Sequence, residues 1–169
     1  AGRIQKLLLP KKLIDTAELN FSVLFNPSRG VCSDYYDIIQ HQKDRLFCVV
    51  ADVAGKSIHA CIVMVMIRSL LYLITNTPQP THSILDSLNK GITGKISIDH
   101  YASVSLLAYI PAEKAIEYVN AGRQSLLLWK NSAKKLMRLE QKSDPIGIDS
   151  KSVYTAKRIQ VEKGDIAVL

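Results

Sequence analysis

The order of hydrophobic periods in this sequence predicts an α+β fold, a β-sandwich covered by helices. Three observations carry that expectation. Two strand-like apolar runs lie between residues 36 and 52, two helical patterns follow back to back over about 57–75 and 81–92, and short strand patterns fill the chain from residue 101 onward. A parallel α/β fold would instead interleave strands and helices one by one.

The elements follow in order. Ile4, Leu7 and Leu8 recur at i, i+3 and i+4, so residues 3–9 read as a short amphipathic helix stopped by Pro10. Leu19, Phe21, Val23 and Phe25 alternate and predict a strand over Glu18–Phe25, closed by the loop Asn26-Pro27-Ser28-Arg29-Gly30. Tyr36–His41 and Arg45–Asp52 are strands joined by the polar turn Gln42-Lys43-Asp44. The run from Phe47 to Ala51 is apolar on both faces, which places its strand centrally in a sheet. After Asp52 the period becomes helical, and the helix of about Ser57–Thr75 is apolar nearly all round, as expected of a helix buried against a sheet. Pro78 and Pro80 separate it from a helix over Thr81–Ile92 with Ile84, Leu85 and Leu88 on one face. Ala102–Ile110 and Ala115–Asn120 form a hairpin about Pro111-Ala112-Glu113-Lys114, and Ser125–Lys130, Lys135–Leu139, Val153–Ile159 and Ile166–Leu169 complete the strands.

A chain of 169 residues, 47% apolar and 22% charged, is globular in composition and buries roughly 70% of its unfolded surface. Cys32, Cys48 and Cys61 form no C-x-x-C pair and read as buried thiols in a reducing, cytosolic compartment. The apolar run Ala60–Ile74 is interrupted by Arg68 and Ser69 and falls short of the roughly 18 uninterrupted residues of a membrane span. The charge of +7 is spread along the sequence without a groove-binding motif, so it suits a solvated basic face or acidic and phosphorylated partners better than nucleic acid.

The chemistry concentrates in acids at strand ends. If the strands around the Lys43 turn pair, residues whose numbers sum to about 86 face each other, and Asp34 then lies opposite Asp52. Paired carboxylates at a strand end are tolerable beside a cation, and oxygen ligands suit Mg²⁺ or Mn²⁺. Gly55 permits a tight strand-to-helix turn there. The plainer alternative makes Asp34 a turn residue and Asp52 a loop or helix-capping acid. His59, one turn into the helix, reads first as a packing residue, with general acid chemistry as the alternative.

The segments RIQKLLLP, SDYYDII, VVADVAGKSIHACIVM, YVNAGRQSLLLW, DPIGI and KGDIAVL occur in this order. That series resembles the bacterial SpoIIE/RsbU-type branch of the PPM (PP2C-like) serine/threonine phosphatases over essentially the whole chain. The resemblance implies a four-layer α-β-β-α sandwich of two antiparallel sheets flanked by helices. It implies two Mg²⁺ or Mn²⁺ ions and a water, activated by them, that hydrolyses phosphoserine or phosphothreonine. Asp52 matches the metal-bridging aspartate, Val53 the neighbour whose carbonyl is a ligand, and Asp34 and Asp37 the acids of the first motif. From their positions, Lys56 reads equally as a contact for a substrate phosphate or as a partner of a carboxylate, and Arg123 reads first as a hairpin-end residue, with a phosphate contact as the alternative. Cys32 and Ser33 replace two glycines of the family pattern, Ser57 replaces another, and Arg123 stands where typical members have histidine.

On the same resemblance, residues 1–12 end a linker helix from an upstream sensor domain, and 13–169 are a phosphatase domain whose last acidic motifs lie beyond Leu169. The implied setting is cytoplasmic partner-switching or stress signalling, with a phosphorylated regulator of the anti-sigma-factor-antagonist type as partner. A homodimer stays open. The alternative from another class is a pseudophosphatase that binds such a phosphoprotein, or a sensor partner, without turnover.

Overall fold

The computed structural model describes residues 9–10, 16, 18–26, 33–40, 44–55 and 57–169. Among the described residues, eight strands form two antiparallel sheets: β1 (Asp34–Ile39), β2 (Leu46–Val53), β3 (Ala102–Ile110), β4 (Ala115–Ala121), β5 (Ser125–Lys130), β6 (Lys135–Glu140), β7 (Lys157–Gln160) and β8 (Ile166–Val168). The larger sheet runs β1-β2-β3-β4-β7 and the smaller β6-β5-β8. Between β2 and β3 come helices α1 (Ile58–Thr75) and α2 (Thr81–Ile92).

Alternation along β2 and β3 splits the larger sheet into two apolar faces. Val49, Ala51, Val53, Val104, Leu106 and Ala108 point with Tyr35 and Ile39 toward Met64, Ile67 and Leu71 of α1 and Ile84, Leu85 and Leu88 of α2. Leu107, Tyr109, Ile116 and Tyr118 point the other way, onto Leu126, Leu128 and Leu139 of the smaller sheet. The layers described are therefore helices, sheet and sheet. The outer face of the smaller sheet is open: Leu127, Leu136, Ile166 and Val168 share it and are exposed.

Helix α1 starts where Ser57 Oγ accepts from the Ala60 N–H. By length and composition it is long and apolar enough to cross a membrane, against the sequence expectation that Arg68 and Ser69 leave it too short. Nor is it buried all round. Ala60, Val63, Met64, Ile67 and Leu71 form its buried side, whereas Ile58, Ile62 and Leu73 are exposed. Helix α2 carries Ile84, Leu85, Leu88 and Ile92 at helical spacing and buries all four.

Three expectations need correction or limits. Glu18–Phe25 forms no strand: Leu19 packs against the inter-sheet core and Phe25 on the Tyr36 ring at 5.4 Å, but Val23 is exposed and the backbone joins neither ladder. Its alternation was only half matched by burial. In the expected strand Val153–Ile159, only the end pairs, because Tyr154 is buried in the helix-side core with its N–H donating to Asp86 Oδ1 of α2. The amphipathic pattern at residues 3–9, Cys32 and Lys56 lie outside the described residues, apart from Leu9, which packs against the helix-side core.

Ile67 is fully buried between α1 and the sheet, and Leu73 on the same helix is 70% exposed. Ile67→Ala should cost about 2–5 kcal/mol, and Leu73→Ala should stay within about 0.5 kcal/mol. Urea unfolding of both variants measures the contrast.

Candidate active site

The β1–β2 ladder pairs Asp34 with Asp52, and the next ladder pairs Asp52 with Ser103 on β3. Directly paired residues project to one face, so the three side chains form a row at the rim of the face between the two sheets. Gly122 follows β4 and extends the row. A Cβ built there would lie 2.7 Å from Ser103 Oγ, and its φ of +119° is one that glycine adopts freely and L side chains rarely do. Strands are spaced by about 4.8 Å, so Gly122 lies roughly 10 Å from Asp52. Arg123 is the next residue and is exposed. The turn argument about Lys43 thus gave the observed register.

Asp52 and Asp34 are hydrogen-bonded to each other. Desolvation raises the Asp52 pKa above the ordinary carboxylate value, and the charge of Asp34 and its hydrogen bond raise it further. Two facing carboxyls form an oxygen-only donor pair that a divalent cation would stabilise, so the residues fit Mg²⁺ or Mn²⁺. Among the described residues no cluster of three His, Cys, Asp or Glu forms a fuller metal cage. Mg²⁺ ordinarily takes one or two carboxylates and keeps several waters, which is compatible with this set.

Asp37 is not brought to that pair. It stands three residues from Asp34, an odd step along a strand, so its side chain projects to the helix-side face. There it is 3% exposed and accepts hydrogen bonds from Tyr35 Oη at 2.7 Å and the Ile38 N–H at 2.8 Å. Tyr72 of α1 also hydrogen-bonds it; burial, followed by Asp37, raises the Tyr72 pKa. The Val53 side chain is buried in the helix-side core, one residue beyond Asp52. The Ala54 N–H donates to the Tyr101 carbonyl at 2.8 Å and Gly55 takes φ +97°, so the chain turns sharply from β2 toward α1.

Sequence reasoning missed the polar support beneath the rim. One pair inward from the acids, Ser105 Oγ lies 3.0 Å from Asn120 Oδ1 and 2.8 Å from Gln124 Oε1. Asn120 Nδ2 donates to the Gln141 carbonyl at 2.9 Å, and Tyr118 Oη to the Gln124 carbonyl at 3.2 Å. These bonds hold the segment that carries Gly122 and Arg123 from one sheet to the other. The available signal was serine at 103 and 105 within an otherwise apolar strand. His59 is exposed in the first turn of α1, with its ring near that of His100.

Because the Asp52 pKa is raised on folding, the folded state binds the extra proton more readily than the unfolded chain. The pair's contribution to stability is therefore fully present below the ordinary carboxylate range and is lost as pH rises through the folded-state value. Asp52→Asn should stabilise the cation-free protein at pH 7.5 relative to pH 4, by less than about 1 kcal/mol because solvent screens the pair. Urea midpoints at the two pH values test the sign. Gly122→Ala should destabilise by about 1–3 kcal/mol, read the same way.

The sequence model described as Stage II sporulation protein E (SpoIIE) matches residues 42–169. The chain is 24% identical over 169 residues to "Phosphoserine phosphatase RsbU" of Bacillus subtilis (strain 168), covering 100% of this chain and 50% of that protein. It is 25% identical over 153 residues to "Phosphoserine phosphatase RsbP" of the same organism, covering 88% and 37%. It spans half or less of the length of these curated relatives. Among solved structures, the PP2C phosphatase domain of SpoIIE from Bacillus subtilis superposes with a TM-score of 0.70 at 16% identity, covering 80% of this chain and 40% of that one. RsbX in complex with magnesium gives 0.69 at 18%, covering 84% and 67%. These likenesses establish the PP2C-like fold, and with the match over residues 42–169 the chain belongs to the SpoIIE family.

Proposed function

We propose that this chain is the core of a metal-dependent protein phosphatase that hydrolyses phosphoserine or phosphothreonine on a regulatory protein. The observation that carries the reading is the Asp34–Asp52 carboxyl pair, set on the sheet rim in one row with Ser103 and Gly122. Asp34 and Asp52, with the Val53 carbonyl, would hold Mg²⁺ or Mn²⁺. When bound, such cations lower the pKa of a water and offset charge on a transferring phosphoryl group. Arg123, exposed one residue past Gly122, supplies a fixed positive charge for a phosphate oxygen, and Lys56 is assigned the same role. The Ser105–Asn120–Gln124 network positions the turn that carries Arg123. Asp37 is left out of the metal set and assigned to holding β1 against α1.

The names of RsbU and RsbP support a phosphoserine substrate. A magnesium-bound relative of the same fold supports the cation. By analogy the setting is cytoplasmic partner-switching, with a phosphorylated anti-sigma-factor antagonist as substrate and an upstream sensor as regulator. Ser33 and Ser57, where family members carry glycine, favour a second reading, a pseudophosphatase that binds a phosphoprotein without turnover.

The test assays the full-length gene product with p-nitrophenyl phosphate and a phosphoserine peptide, in Mn²⁺, in Mg²⁺ and in chelator. Metal-dependent turnover should fall at least about a hundredfold in Asp34→Asn and Asp52→Asn. Asp37→Asn should retain metal dependence, and Arg123→Ala should act mainly on KM for the peptide. A folded protein without turnover in either metal selects the binding reading.

A further inference from the structure

Two histidines from different elements meet beside the β2–α1 turn. His59 lies in the first turn of α1 and His100 in the 3₁₀ turn Ile98–His100 that precedes β3. Their ring centroids are 5.7 Å apart, with the planes inclined by 60°. Neither ring has a hydrogen-bond or ion-pair partner among the described residues. His59 is exposed and His100 half-buried, so both residues are in reach of solvent. A Cβ built at Gly55 would lie 4.0 Å from His100 Nε2, which places that edge of the ring at the turn.

We infer that His59 and His100 form a transition-metal site for a borderline ion such as Zn²⁺ or Ni²⁺, separate from the oxygen donors of Asp34 and Asp52. Imidazole nitrogens bind such ions at about 2.0–2.1 Å, and two rings on one tetrahedral ion then have centroids roughly 5 Å apart. The observed 5.7 Å is within a small side-chain adjustment of that spacing. The donor chemistry separates the two sites: nitrogen ligands favour Zn²⁺ and Ni²⁺, whereas carboxylates favour Mg²⁺ and Mn²⁺. Water completes the coordination shell, since no third His, Cys, Asp or Glu joins the pair among the described residues. An ion held there ties the start of α1 to the segment leading into β3, across the turn that follows Asp52.

The test titrates the 169-residue chain, in chelator-free buffer, with ZnCl₂ and with NiCl₂ by calorimetry. One saturable ion is expected. His59→Ala and His100→Ala should each weaken it by at least about tenfold, a scale on which even an outer-shell change registers, and Asp52→Asn should leave it in place. Absence of binding, unchanged affinity in the two histidine variants, or loss in Asp52→Asn alone would each overturn the assignment. In the unsubstituted chain, Ni²⁺ should broaden the imidazole proton resonances of His59 and His100 together; broadening confined to His41 or His82 would also overturn it. Because binding is read without substrate or Mg²⁺, the outcome is independent of phosphatase activity.

Discussion

The ladder between β1 and β2 holds two like charges opposite each other, and much of the surrounding architecture keeps them there. Antiparallel pairing fixes which residues face one another, and a one-residue slip would send every side chain of β1 to the other face. Such a slip would place Tyr35 and Ile39 between the sheets and carry Asp37 away from Tyr72 of α1. The register that exposes Asp34 at the rim is thus the one that buries the aromatic and aliphatic residues beside it. Core packing is what makes the acid pair tolerable.

Residue parity divides the labour on β1. Asp34 and Asp37 belong to one short acidic motif, yet strand alternation sends them to opposite sides of the sheet. One meets Asp52 at a wet edge. The other is enclosed by Tyr35 and by Tyr72 of α1. The same alternation on β3 directs Ser103 and Ser105 toward the smaller sheet and Val104 toward the helices, so polar groups enter an apolar strand without disturbing the helix-side core.

Much of this was legible in the sequence where periodicity was strong. Both helices, the β3–β4 hairpin and the Asp34–Asp52 register follow from residue pattern and turn length alone. Failures came where a local pattern was weak or a distant contact overrode it. Tyr154 reads as part of a strand, but its backbone is claimed by Asp86, 68 residues earlier. Asp37 reads as a partner of Asp34 because motif resemblance carries no information about faces. The β3–β4 hairpin already pairs Ser105 with Asn120, but their bonds to Gln124 and Gln141 were invisible because those residues become neighbours only when the chain crosses to β5. His59 and His100 are likewise brought together only by the tertiary fold.

The open face of the smaller sheet has a colloidal consequence. Leu127, Leu136, Ile166 and Val168 are exposed apolar residues on it, and β6 and β8 are its edges among the described strands. Such surfaces attract their own kind. The formal charge of +7 opposes that attraction at a distance, but its reach contracts to about 10 Å at 0.1 M salt. Ionic strength therefore sets whether repulsion or adhesion governs encounters between molecules of this chain.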